Sequence, residues 1–224
     1  MSDANYKPYR SRVFIVDDHP IVREGLALKI CAEPDMIVCG EAEDVTEALT
    51  RLPAAVPDVI LIDISLKAGN GIELVKRIRA RDGTARMLVW SMHAESLYAE
   101  RALRAGAMGY VNKRHATSHL IAALRTVLSG QVYVSADLTS QFLTRLVGEN
   151  AKAAGGGAVA SLTDRELEAF TLLGRGLSTQ QIAEQMHISG KTVETHRLRI
   201  KEKLGVTTLA ELIQRATHWA METN

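Results

Sequence analysis

Five residues stand at the ends of short apolar runs: Asp17 and Asp18 after Val13-Phe14-Ile15-Val16, Asp63 after Val59-Ile60-Leu61-Ile62, Ser91 after Met87-Leu88-Val89-Trp90, and Lys113 after Gly109-Tyr110-Val111-Asn112. If those runs are parallel strands ending at one sheet edge, three carboxylates meet there. Repulsion and desolvation both raise the pKa of such groups, so a divalent cation is the natural compensator, and an all-oxygen ligand set favours Mg²⁺ or Mn²⁺. The Ser91 hydroxyl and the Lys113 ammonium complete a set suited to phosphoryl transfer: a carboxylate can attack phosphorus while cations neutralise the equatorial oxygens. Taken singly, each residue has a plain reading, since a strand-end Asp is commonly a helix N-cap and a strand-end Lys is commonly solvated. The chemistry rests on five of them sharing one edge.

A second group lies near the C-terminus. Thr163 and Glu166 form a capping-box pattern that opens a helix. Leu177 to Met186 offers a second helix, His187-Ile188-Ser189-Gly190 a turn, and Lys191 to Leu204 a third helix, which together make a helix-turn-helix candidate. Val193, Ile200 and Leu204 have core spacing, while Lys191, Arg197, Arg199, Lys201 and Lys203 are expected on the other faces. Against Glu194 and Glu202 these five cations leave a local excess of three. Charge alone would equally suit a solvated surface. His115 and His119 lie one helical turn apart but have no evident third metal ligand. The glycines at 106 and 109 suit a helix end and do not form a nucleotide loop.

The elements that must hold these groups follow from periodicity. From about residue 10 to 130, β-rich apolar runs alternate five times with helical patterns. Strands apolar on both faces belong to a parallel sheet covered on each side, so the expected fold is a doubly wound, five-stranded α/β domain with its ligands at the carboxyl strand ends. Residues 131–160 read as a helical extension followed by a Gly/Ala-rich linker, centred on Glu149 to Gly157. Residues 161–222 read as a small all-α domain of four helices. With 224 residues, 46% of them apolar, the chain can bury two cores. Its 27 basic and 26 acidic residues nearly cancel, so nucleic-acid binding would have to rest on local charge. No signal peptide or membrane span is evident, which points to a cytoplasmic protein without a membrane partner. Cys31 and Cys39 sit in apolar stretches and are expected to be buried thiols.

The first domain resembles the CheY/flavodoxin-like receiver of two-component response regulators. The resemblance implies that Asp17 and Asp18 bind the metal with Asp63 and the backbone carbonyl of Ser65, that Asp63 accepts a phosphoryl group from a sensor histidine kinase, and that Ser91 and Lys113 contact it. Tyr110 matches the switch aromatic expected to turn inward on phosphorylation; its plain reading is a core aromatic. Ser65 and His93, two residues after Asp63 and Ser91, are expected to flank the path of attacking water. Lys67 and Arg114 stand where the family often has proline, so no cis peptide is expected after Lys113.

The order Leu-Thr-x-Arg-Glu, Gly-Leu-Ser-Thr-Gln-Gln-Ile-Ala, Lys-Thr-Val-Glu-Thr-His-Arg-x-Arg-Ile and Lys-Leu-Gly-Val resembles the LuxR-type DNA-binding domain. Joined to a receiver, it resembles the NarL/FixJ subfamily. The resemblance implies a recognition helix from Lys191 to Lys203, with Glu194, Thr195 and Leu198 at major-groove positions. His196, Arg197 and Arg199 would touch phosphates or pack nearby, and Lys191, Thr192 and Lys201 complete the DNA-contacting set. It also implies promoter DNA as ligand, a homodimer when phosphorylated, a dimer contact through the last helix, and RNA polymerase as a further candidate partner. Two rivals share some of these features. A haloacid dehalogenase-like phosphatase would need a second Asp where Ser65 stands, and a receiver used only for dimerisation would have no need of Asp63, Ser91 and Lys113 together.

Overall fold

The computed structural model describes residues 9–114, 117–147 and 157–223. The chain divides into two compact units, Met1–Val134 and Ser135–Asn224. In the first, strands and helices alternate: β1 (Ser11–Val16), α1 (Pro20–Cys31), β2 (Met36–Ala42), α2 (Val45–Ala55), β3 (Val59–Ile62), α3 (Gly71–Arg81), β4 (Met87–Ser91), α4 (Glu95–Ala105), β5 (Gly109–Asn112) and α5 (Thr117–Leu128). All pairings are parallel, in the order β2-β1-β3-β4-β5. This is the doubly wound sheet expected from the runs of valine, isoleucine and leucine. Every residue of β3, β4 and β5 is buried, as is Val13 to Val16 of β1, because helices cover both faces. The strand order reverses between β1 and β3, so their carboxyl ends flank the crevice where such sheets bind ligands.

The helices begin where the sequence supplies caps. The Asp44 side chain accepts from the Glu47 amide at the start of α2, and Asn70 does the same for Ile72 at the start of α3. Edge strand β2 is only partly covered, and this corrects one expectation. Cys39 on that strand is half-buried, and Cys31, the last residue of α1 on its outer side, is exposed. An apolar neighbourhood in sequence did not place either thiol in the core. No cis peptide occurs among the described residues.

The second unit contains α6 (Ala136–Val147), a single turn α7 (Gly157–Ala160), α8 (Asp164–Gly174), α9 (Thr179–Gln185), α10 (Gly190–Leu204) and α11 (Leu209–Thr223). The expected linker at Glu149 to Gly157 falls outside the described residues up to its final glycine, where α7 begins. Capping boxes start α8, through Thr163 and Glu166, and α9, through Ser178 and Gln181. Leu162, Phe170, Ile182, Val193, Ile200, Leu212 and Ala216 form the core of the unit. Helices α8 and α11 approach so closely at Gly174 that a Cβ there would sit 2.3 Å from the Ala216 carbonyl oxygen. The turn between α9 and α10 differs from expectation in one respect. The left-handed residue is His187, with φ 52°, while Gly190 opens α10 behind its cap, Ser189. Among the described residues no helix is long and apolar enough to cross a membrane.

Candidate functional site

At the carboxyl edge of the sheet the topology brings the expected residues together. The Asp63 amide donates to the Val16 carbonyl, and the Lys113 amide to the Ser91 carbonyl, so the ladders of β1/β3 and β4/β5 run to the site itself. The Lys113 ammonium donates to Asp17 Oδ2 and Asp63 Oδ2, both at 2.6 Å. Asp17 Oδ1 accepts from the His19 amide. Asp63 is only 4% exposed, and its other oxygen, Oδ1, is buried without a hydrogen-bond partner. Burial pushes the Asp63 carboxyl above the usual range; Lys113 opposes this and Asp17 adds to it. Burial also works against the Lys113 charge, but Asp63 and Asp17 outweigh it and hold the ammonium above its ordinary value. The Ser91 hydroxyl lies near both Asp63 and Tyr110, favouring the charged form of each.

Ligand atoms of Asp17, Asp18, His19 and Asp63 lie within 4.8 Å of one another. Sequence reasoning missed His19, whose Nδ1 is 2.7 Å from Asp18 Oδ1. Its signal was adjacency to the acidic pair. Oxygen donors at this spacing, one of them buried without a donor, fit a small divalent cation.

The loop carrying Asp63 is anchored by Ile64 and Leu66, both buried, and closed by the Gly71 amide donating to the Ile64 carbonyl. A Cβ at Gly71 would lie 1.9 Å from the Asp63 carbonyl oxygen, so only glycine lets α3 start here. The sequence showed this glycine without showing its reason. Ser65 and His93, singled out separately, are bonded to each other, Oγ to Nε2 at 3.0 Å. The His93 ring also stacks on Tyr98, with centroids 4.5 Å apart. The His93 carbonyl accepts from the Tyr110 hydroxyl at 2.7 Å and the Asn112 amide at 2.8 Å. Tyr110 is turned inward and fully buried. Asn112 and Tyr98 were not anticipated.

In the second unit α10 presents a mixed surface. Glu194, Thr195, Leu198, Arg199 and Lys191 are exposed. Of the five expected surface cations, Arg197 is buried, and Lys203 is exposed but ion-paired. Arg197, 9% exposed, lies on the inner side with Val193 and Ile200, where its Nη1 donates to Glu194 Oε1 and Thr179 Oγ1. Lys203 donates to Glu166 Oε2 at 2.6 Å and to the Ser161 carbonyl. Lys201 donates to the Thr207 carbonyl at the helix end, and Thr192 is half-buried beside its cap, Ser189. Burial holds His196 below the ordinary histidine range, reinforced by Arg165 and Arg199 and opposed by Glu166. Spacing located α10, but a helical wheel could not tell an outward arginine from one tied down by a residue of another helix.

Comparison with known proteins agrees with both halves of this description. Residues 13–125 match the response regulator receiver domain, and residues 160–216 match the bacterial regulatory proteins of the luxR family. The chain is 36% identical over 195 residues to the DNA-binding transcriptional activator DevR/DosR of Mycobacterium tuberculosis, covering 87% of this chain and 88% of that one. It is 33% identical over 208 residues to the oxygen regulatory protein NreC of Staphylococcus aureus, covering 92% and 96%. Among solved structures it is similar to RcsB of Salmonella enterica serovar Typhimurium bound to the promoter rprA in the presence of the phosphomimetic BeF3-, with 27% identity, a TM-score of 0.61 and coverage of 93% and 98%. A LuxR-family response regulator from Aurantimonas shares 37% identity, with a TM-score of 0.58 and coverage of 62% and 99%. These relatives are transcription regulators and not phosphatases. The chain belongs to the NarL/FixJ-type two-component response regulators, DNA-binding transcription regulators that join a receiver domain to a LuxR-type helix-turn-helix domain.

Proposed function

We propose that a partner sensor histidine kinase phosphorylates this chain on Asp63 and that phosphorylation controls its dimerisation and promoter binding. The observation that carries this reading is the bridging of Asp17 and Asp63 by Lys113, which leaves Asp63 Oδ1 buried and unpartnered at the mouth of the sheet. An oxygen so placed is the nucleophile: it forms the new O–P bond while the P–N bond to the kinase histidine breaks and the histidine keeps the electron pair. Asp17, Asp18, Asp63 and the Ser65 backbone carbonyl would hold Mg²⁺ or Mn²⁺, which supplies charge neutralisation for the phosphoryl oxygens. Lys113 can exchange one carboxylate contact for a phosphoryl oxygen, and the Ser91 hydroxyl can donate to another. Those contacts exist only in the phosphorylated state, and that difference is what shifts a population.

Residues 131–160 serve as extension and linker between a receiver spanning 10–130 and a DNA-binding domain spanning 161–222. In the latter, exposed Lys191 and Arg199 supply phosphate contacts, with Thr192 and Lys201 close by, while Glu194, Thr195 and Leu198 face base edges. A dimer sets two such helices on half-sites about one helical turn apart. Working on a chromosome and receiving phosphate from a kinase, the protein acts in the cytoplasm, and RNA polymerase is the partner through which promoter binding would alter transcription. Intact mass after incubation with a small phosphodonor and Mg²⁺ tests the first step. One added phosphoryl group on the wild type and none on Asp63→Asn is expected; persistent labelling of the mutant would remove Asp63 as the acceptor.

A further inference from the structure

We propose that Arg197 and Thr179 are positioning residues that fix the Glu194 carboxylate as a base-reading group, so that sequence choice by α10 depends on a residue at the start of α9. This deepens the assignment of Glu194 to the major groove and rests on it. Three hydrogen bonds close a ring. Arg197 Nη1 donates to Thr179 Oγ1 at 2.5 Å and to Glu194 Oε1 at 2.8 Å, and the Thr179 hydroxyl donates to the same Oε1 at 3.0 Å. Each group is used consistently. Nη1 spends its two protons, and Thr179 accepts once and donates once.

The ring joins two helices, since Thr179 is the first residue of α9 and the other two belong to α10. Arg197 is inaccessible to a phosphate in this arrangement: its side chain is 11% exposed, against 58% for Glu194. The Arg197 Nε is itself buried without a partner.

Three consequences follow for Glu194. Its Oε1 is held by two donors, which leaves Oε2 as the free acceptor, able to take a hydrogen bond from a cytosine amino group. The guanidinium cancels a charge that the DNA backbone would otherwise repel. A glutamate left alone on a helix surface samples many rotamers, whereas a tethered one has fewer to lose on binding. An arginine that merely stapled two helices would affect stability and every DNA sequence alike. One that aims a carboxylate would affect a single base pair.

The test is selection of bound duplexes from a randomised library by the full-length protein, for wild type, Glu194→Ala, Arg197→Ala, Thr179→Val and Thr179→Ser, with a salt series on the sequence recovered. Thr179→Val carries the decision, because it removes the hydroxyl while keeping shape and net charge and can be checked for folding by its thermal transition. The wild type is expected to discriminate by roughly 5- to 150-fold at the base pair read by Glu194. Thr179→Val, Arg197→Ala and Glu194→Ala should each lower that ratio by about five-fold or more at the same base pair. Thr179→Ser, which keeps the hydroxyl, should retain it, and Thr179→Val should leave the salt slope unchanged. If Glu194→Ala alters the profile while Thr179→Val and Arg197→Ala keep the wild-type profile, the positioning role is wrong and the groove assignment stands. If Glu194→Ala leaves the profile unaltered, or the wild type enriches no sequence, the groove assignment fails and this inference with it.

Discussion

Asp63 in the receiver and Glu166 in the DNA-binding domain are buried to nearly the same degree, 4% and 2% exposed, yet their surroundings drive them in opposite directions. Asp63 has one oxygen bonded to Lys113 and one with no partner, beside a second buried carboxylate, and its carboxyl is pushed above the usual range. Burial acts on Glu166 in the same sense, but Lys203 and the capping box with Thr163 more than offset it, and its carboxyl lies below the usual range. A buried charge with every partner in place belongs to the architecture. One left partly unpartnered at a strand end marks where the fold tolerates instability for the sake of chemistry.

The largest effect that can break this contrast is on Glu166. Glu166→Ala removes a cap and the buried end of the ion pair with Lys203, and is expected to destabilise the DNA-binding domain by about 3 kcal/mol. The chain has two tryptophans, Trp90 in the receiver and Trp219, which packs on Phe170 in the second unit. Urea unfolding of Glu166→Ala in a Trp90→Phe background therefore reads the affected domain alone; an unchanged midpoint would make Glu166 a surface residue in effect. Next in size is the metal. Mg²⁺ at a hundred times its Kd should stabilise the receiver by about 2.7 kcal/mol, seen as a shift of the Trp90 transition that Asp17→Asn abolishes. An equal shift in that mutant would place the cation elsewhere.

A smaller effect sharpens the comparison through sign. Because the folded pKa of Asp63 is raised, ionisation costs the native state stability as pH rises from the unfolded carboxyl value through the folded one. In metal-free buffer at neutral pH, Asp63→Asn should accordingly stabilise the receiver, by about 1 kcal/mol. Glu166 has the reverse sign: its contribution is present above the unfolded value and is lost as pH falls through the depressed folded value. Acidification towards the unfolded carboxyl value should thus strengthen the Trp90 transition through Asp63, whereas the Trp219 transition weakens only as pH falls below the unfolded Glu166 value. That strengthening should disappear from the receiver in Asp63→Asn. The smallest effect concerns phosphoryl lifetime. A Ser65–His93 hydrogen bond worth about 1 kcal/mol corresponds to roughly five-fold in rate, so Ser65→Ala and His93→Ala should change the decay of the phosphorylated form by that order while labelling is retained. Unchanged decay in both would separate the pair from water access.

The sheet, its five strand-end groups and the helix-turn-helix were legible because each depends on local period and on ends that parallel topology must align. What escaped was set by contacts distant in sequence. Gly71 is required by the approach of a backbone eight residues away, and the inward pose of Tyr110 depends on the His93 carbonyl. Arg197 has the spacing of an inner residue of α10, alongside Val193 and Ile200, but its charge argues for the surface. Only Thr179 and Glu194 explain why it stays inside. The exposure of Cys31 and the partial exposure of Cys39 were missed because apolar neighbours in sequence do not reveal which face of a helix or edge strand remains uncovered.

The central claim is that chemistry at Asp63 governs DNA binding by α10. It is tested most directly by the affinity of the full-length protein for a duplex recovered by selection, measured together with its mass in solution, with and without phosphodonor and Mg²⁺, for wild type and Asp63→Asn. Phosphodonor is expected to tighten wild-type binding by about ten-fold or more and to double the solution mass, and to change neither in Asp63→Asn. Equal affinity and equal mass for the wild type in both conditions would contradict the account.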